Sequence, residues 1–145
     1  MDDKIAKAFE KAGIQMVTGD TYQDFTKSRI AMIMMFAEWC PHCVAAKPIY
    51  LKFATMVEKY NKQQKKKENM IRLGAIDYDL KDNAPFKERF DVYSVPIFIM
   101  FSSTDSTQPY SGSRTPEDLY QKLLAFESEE RKKFGISYKI VPNLK

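Results

Sequence analysis

Apolar residues recur along this chain at two spacings, interrupted by one unbroken run. Ile5, Ala8, Phe9 and Ala12 fall at helical intervals, and Gly13 is placed to close that helix. Ile14–Val17 reads as a short strand. Gly19-Asp20 reads as a turn, with Asp20 or Thr21 capping one or two helical turns. The run from Ile30 to Ala37 is continuously apolar. Its methionines and alanines do not favour a strand by propensity, but its length and uniformity predict a central strand buried on both faces. From Cys40 to about Asn61, Val44, Ala45, Ile49, Tyr50, Phe53, Ala54, Val57 and Tyr60 mark one broad helical face, which Pro48 should kink.

The second half continues in the same style. Residues 71–77, "IRLGAID", predict a strand, and 82–90 a short helix capped by Asp82 or Asn83 with Pro85 in its first turn. "VPIFIMF", 95–101, predicts a third strand, opened by Val95-Pro96. "SSTDSTQ" reads as a turn, and "PYSGS", 109–113, as a short antiparallel edge strand. Thr115 or Ser113 caps a closing helix over 116–126, with Pro116 where its missing N–H is harmless. Strand, helix and strand in this order make a βαβ unit with a right-handed crossover. The expected architecture is α/β, a central mixed sheet flanked by helices. The expected domain is 1–126, with its core over about 14–126; residues 127–145 form a charged helix end and tail.

Composition adds limits. At 145 residues with 44% hydrophobic and 29% charged, the chain fits one globular domain with a sizeable core. The net charge of +4 draws largely on the basic connector 61–70, "NKQQKKKENM". No aromatic residue interleaves with its lysines, so it reads as a solvated surface and not as a nucleic-acid patch. The first residues carry charges and no apolar h-region, and the longest apolar run is too short to span a bilayer, so no membrane partner is expected. The expected location is cytoplasmic by default, or an oxidising compartment if the chain is a processed form.

Chemistry concentrates in four residues. The chain has two cysteines and one histidine, all within Cys40-Pro41-His42-Cys43. This tetrapeptide follows the predicted central strand and opens the long helix. There, unpaired N–H groups and the positive end of the helix dipole favour a thiolate. Cys40, at the helix mouth, is the expected exposed nucleophile; Cys43, one turn inside, is the expected buried resolving thiol. His42 adds positive character near Cys40, and Pro41 stiffens the helix start. A thiolate-favouring site makes its disulfide a stronger oxidant. Zinc would need four ligands where this chain offers two thiolates and an awkwardly placed imidazole. A cysteine–histidine hydrolase would need a histidine distant in sequence, and there is none. Two inert core cysteines remain the other alternative to a redox pair.

In this context "FAEWCPHC" resembles the thioredoxin superfamily, over roughly residues 14–126. "AEWC" with Pro48 following the second cysteine is similar to thioredoxin. CPHC is similar to the bacterial periplasmic disulfide oxidant, and "YSGSRTPEDL" to protein disulfide isomerase catalytic domains. The resemblance implies that Val95-Pro96 is the family's cis-proline, facing the cysteines and exposing backbone to a substrate strand. It implies that Trp39 shapes the substrate groove and that Arg114 eases deprotonation of the resolving cysteine. One position departs. Six residues before Cys40, where the family usually buries an acid as proton acceptor, stands Met34; neighbouring Glu38 is expected to point outward. The implied activity is thiol–disulfide exchange or isomerisation on protein substrates carrying thiols or disulfides. It would act with an unidentified redox partner and no metal or organic cofactor. A reductase of the same fold, or a peptide-binding module with regulatory or silent thiols, remains open.

Overall fold

A computed structural model describes residues 4–25, 30–102 and 106–134. The expected tail over 135–145 and the centre of the predicted turn, 103–105, lie outside the described residues, as do the charged first residues. In chain order the elements are α1 (Lys4–Lys11), β1 (Gln15–Met16), α2 (Tyr22–Phe25), β2 (Ile30–Phe36), α3 (Pro41–Lys62), β3 (Ile71–Asp77), α4 (Ala84–Arg89), β4 (Ile97–Ser102), β5 (Thr107–Pro109) and α5 (Pro116–Phe134).

The five strands form one mixed sheet in the order β1-β3-β2-β4-β5. β1 and β2 run parallel to β3, β4 runs antiparallel to β2, and β5 runs antiparallel to β4. All seven residues of β2 are buried, the signature of a central strand covered on both faces. Its alternate residues feed two apolar layers. Met32, Met34 and Phe36 pack under α1, α3 and α5. Ala31, Ile33 and Met35 pack with Phe25 of α2 and Phe86 of α4. Gly74 of β3 allows the close approach of Phe25, for a Cβ there would lie 2.8 Å from its ring.

Several local expectations hold. Gly13 closes α1 with φ +82°, its N–H donating to Glu10 and that of Ile14 to Phe9, a Schellman closure. Thr115 caps α5, its hydroxyl accepting from the Asp118 N–H at 3.1 Å. α3 continues as helix through Pro48, which removes one N–H donor from its interior. Other expectations need correction. The edge strand covers Thr107–Pro109 and not 109–113, since pairing with β4 ends at Pro109 opposite Ile99. Asn83 stands at the N-cap of α4 but makes no cap; its amide donates instead to the Asp77 carbonyl at 3.0 Å. No described helix is long and apolar enough to cross a membrane.

This topology gathers four chain segments at one edge. Phe36 at the end of β2 pairs with Asp77 at the end of β3, and Met35 pairs with Ile97 at the start of β4. β5 returns the chain to the same edge, where Tyr110 N–H donates to Phe98. The segments 37–40, 78–80, 93–96 and 110–115 therefore meet there, although they are scattered in sequence.

Candidate active site

Cys40 is the N-cap residue of α3, with φ −84° and ψ 120°, and Pro41 occupies the first helical turn. Both cysteines are free thiols. Burial alone pushes the Cys40 thiol up. The N–H of Cys43, the Cys43 thiol, the N–H of His42 and the charge of Arg114 outweigh it, so the net shift is downward. Cys40 holds the N-cap position without a side-chain cap hydrogen bond, and the unpaired first-turn amides there favour its thiolate form. Cys43 lies opposite in character. Burial pushes it up to about 12, and the nearby Cys40 thiol reinforces this, against the Ala37 N–H that donates to its sulfur at 3.4 Å and the Arg114 charge. The first-turn backbone, expected from sequence to lower one cysteine, therefore lowers Cys40 alone.

Two expectations about this loop change in detail. Cys40 is only 6% exposed, and its thiol faces the Val95 carbonyl at 3.6 Å; it lies under a rim and is not openly solvated. The His42 side chain is exposed, and what reaches the Cys40 sulfur from this residue is its backbone N–H.

The remaining expected residues are brought together. Val95-Pro96 is cis, and Pro96 is buried beside the Cys40 loop. Arg114 donates to the Pro96 carbonyl at 3.3 Å, and its charge favours the ionised form of both sulfurs. Trp39 is 68% exposed, with its indole N–H on the carboxylate of Asp79. Met34 is fully buried in the same apolar cluster as Cys40 and Cys43. The place where the resemblance implied an acid is thus hydrocarbon. Among the described residues no group of three or more His, Cys, Asp and Glu side chains could hold a metal ion.

Sequence reasoning missed two residues. Asp79 anchors Trp39, and its own N–H donates to Asp77 at 3.0 Å. Its signal lay in its position just past β3, since the carboxyl ends of adjacent parallel strands share one edge. Glu38 does not point to solvent: its carboxylate accepts from the N–H groups of Ile5 and Ala6 at 2.9 and 3.0 Å. No local pattern announces that contact.

The large apolar residues exposed among those described are Trp39, Val44, Leu80 and Tyr93. Each lies in, or within a few residues of, the segments that meet at this edge. The rim of the sulfur site is therefore apolar and aromatic.

Comparison with known proteins bears on the fold and the family. The thioredoxin family model matches residues 13–125. A protein disulfide-isomerase from Arthroderma benhamiae is 28% identical over 106 residues, covering 72% of this chain and 18% of that protein. A thioredoxin from Chlamydia pneumoniae is 23% identical over 106 residues, covering 73% of this chain and 91% of that one. The solution structure of the first thioredoxin domain of mouse protein disulfide-isomerase A4 superposes with a TM-score of 0.67 at 22% identity, over 80% of this chain and 76% of that one. The chain spans about a fifth of the length of the first disulfide-isomerase relatives it matches. A mixed five-stranded sheet with two free cysteines at the mouth of its longest helix, matched over most of its length, leads to one conclusion: the chain belongs to the thioredoxin family.

Proposed function

We propose that this chain is a thiol–disulfide oxidoreductase of protein disulfide isomerase type, acting on polypeptide substrates through Cys40 and Cys43. The opposite displacement of the two sulfurs carries the reading: Cys40 is poised to ionise, and Cys43 is held as a thiol until needed.

The Cys40 thiolate attacks one sulfur of a substrate disulfide. A Cys40–substrate bond forms, the substrate S–S bond breaks, and the second substrate sulfur leaves as a thiolate. Two exits follow. The freed thiolate attacks another disulfide of the same substrate, and the thiolate released there attacks the Cys40-bound substrate sulfur, which isomerises the substrate and returns the Cys40 thiolate. Alternatively Cys43 loses its proton and attacks the Cys40 sulfur, the Cys40–substrate bond breaks and the substrate sulfur leaves as a thiolate, so the chain is oxidised and the substrate reduced. In reverse, a substrate thiolate attacks the Cys40 sulfur of the Cys40–Cys43 bridge and expels Cys43, and a second substrate thiolate then displaces Cys40, so the substrate is oxidised and the chain reduced. The Arg114 charge favours the thiolate in both cysteines, and no buried carboxylate at position 34 is there to take the Cys43 proton. Escape by isomerisation is thus favoured over rapid resolution. The exposed apolar rim suits unfolded or extended polypeptide, whose side chains it can cover.

The test is a Cys43→Ser variant in lysate without added reductant and with a scrambled-disulfide protein. Covalent Cys40-linked species should accumulate and disappear on reduction. Their absence, with Cys40 intact, favours a peptide-binding module with silent thiols. The reduction potential separates the redox directions: a value near about −270 mV makes the chain a reductase, and one above about −200 mV an oxidant or isomerase.

A further inference from the structure

Four consecutive residues of the sulfur loop are each tied to a different part of the molecule. Ala37 N–H donates to the Cys43 sulfur, and the Trp39 indole is held by Asp79 beyond β3. The Cys40 thiol faces Val95. Glu38, between them, reaches α1, thirty-three positions away at Ile5, where Oε1 accepts from the Ile5 N–H at 2.9 Å and Oε2 from the Ala6 N–H at 3.0 Å.

We propose that Glu38 is a positioning residue for Cys40, and that α1 is through it a working part of the active site. The inference rests on Cys40 being the nucleophile. First-turn amides of a helix have no intrahelical partner and carry its positive end. Glu38 satisfies two of them with both carboxylate oxygens, a charge-assisted pair. The first consequence is geometric. The backbone between Ala37 and Cys40 is pinned one residue before Trp39 and two before the sulfur, so the thiol stays between the first-turn amides of α3 and the Val95 carbonyl. The second is electrostatic. A free carboxylate two residues from a thiolate opposes its ionisation; seated on a helix N-terminus, its charge is largely answered.

α1 is itself firmly placed. Ile5 and Phe9 are buried, and Phe9 meets Phe36 and Tyr50 edge-on, with ring centroids 5.6 and 5.4 Å apart. Phe36 ends β2, the strand that leads into the loop, and Tyr50 lies on α3, the helix that leaves it. The helix that receives Glu38 therefore braces both flanks of the loop. Around Glu38 stand these α1 amides and Asp77, whose carboxyl feels the Glu38 charge, and the same helix carries Lys4 and Lys7. Around the Cys40 sulfur stand the Cys43 thiol, the His42 N–H and Arg114.

The test uses the full chain in a Cys43→Ser background, following the reaction of Cys40 with dipyridyl disulfide at neutral pH and the emission of Trp39. Glu38→Ala should slow the reaction about tenfold, as misplacement of a reacting group does, and shift the emission. Glu38→Gln keeps an oxygen for one amide and should stay within about threefold. Val57→Ala, a buried truncation near the far end of α3, lowers stability but should leave the rate of the folded protein unchanged. Glu38→Ala reacting at the parental rate with unaltered emission overturns the proposal, as does an equal slowing by Val57→Ala. A parental Cys40 that does not react at all sinks the redox reading instead.

Discussion

The mouth of α3 and the interior one turn deeper hold the same chemical group in opposed states. At the mouth, the Cys40 sulfur meets first-turn amides and a guanidinium, and the sum of these exceeds the cost of covering it. Inside, Cys43 is fully buried with one amide donating to its sulfur, and the cost of burial wins. Two residues, Pro41 and His42, separate the two. Reactivity here is set by how many N–H groups a sulfur can reach before hydrocarbon closes over it, and only the N-cap position reaches several.

The largest expected effect is the contrast itself. At neutral pH a thiol displaced to about 12 is ionised only to roughly one part in 10⁵, so alkylation of the reduced chain should label Cys40 almost exclusively. Peptide mapping after brief iodoacetamide treatment checks this, and labelling of Cys43 first would reverse the assignment. Thiolate absorbance should show one step below the ordinary thiol range and a second near 12. Stability follows with a definite sign. The lowered Cys40 contributes stability that is present above the ordinary thiol range and lost as pH falls through its folded value. Cys43, neutral when folded, costs stability as pH rises from the ordinary thiol range toward about 12. Melting temperature of the reduced chain against pH should therefore rise and then fall, and a Cys43→Ala variant should lessen the decline that begins in the thiol range, leaving the part at higher pH that comes from tyrosines such as the buried Tyr50, whose hydroxyl burial pushes up.

A smaller effect is expected from narrowing the contrast from inside. Met34→Glu places a proton acceptor in the cluster that holds Cys43, and should speed resolution of a Cys40 mixed disulfide by about tenfold or more. It should also cost several kcal/mol, roughly 2–5, because a carboxyl replaces buried hydrocarbon. Stopped-flow resolution rates and chemical denaturation measure the two together; equal resolution rates would show that proton removal does not limit the step.

The smallest expected effect is at the rim. Arg114→Gln removes a charge that favours ionisation of both sulfurs, so both should titrate higher, with Cys40 alkylation slowed a few-fold at neutral pH. Arg114 is exposed, so added salt should shrink the difference between wild type and variant.

Much of this site was legible in the sequence because its logic is local. A cysteine beside a proline that opens an amphipathic helix must meet the first-turn amides, whatever packs around it. A glycine after Ala12 announces the end of α1 by its freedom at positive φ. The equivalent closure after α4 was not legible, since Asp91 takes φ +58° there and its residue type does not require it. The expected edge strand was displaced because pairing with β4, and not propensity, decides where β5 lies.

The sequence by itself determined the order of elements, the central strand buried on both faces, and the placement of one sulfur at a helix mouth with another one turn inside. These follow from apolar periodicity and from the unpaired amides every helix presents. Only the tertiary structure decided that Glu38 closes on α1 and Trp39 on Asp79, and that Cys40 lies beneath the Val95 carbonyl with Arg114 nearby. Those contacts join segments far apart in the chain. They exist because two parallel strands and one antiparallel strand deliver their ends to the same edge of the sheet.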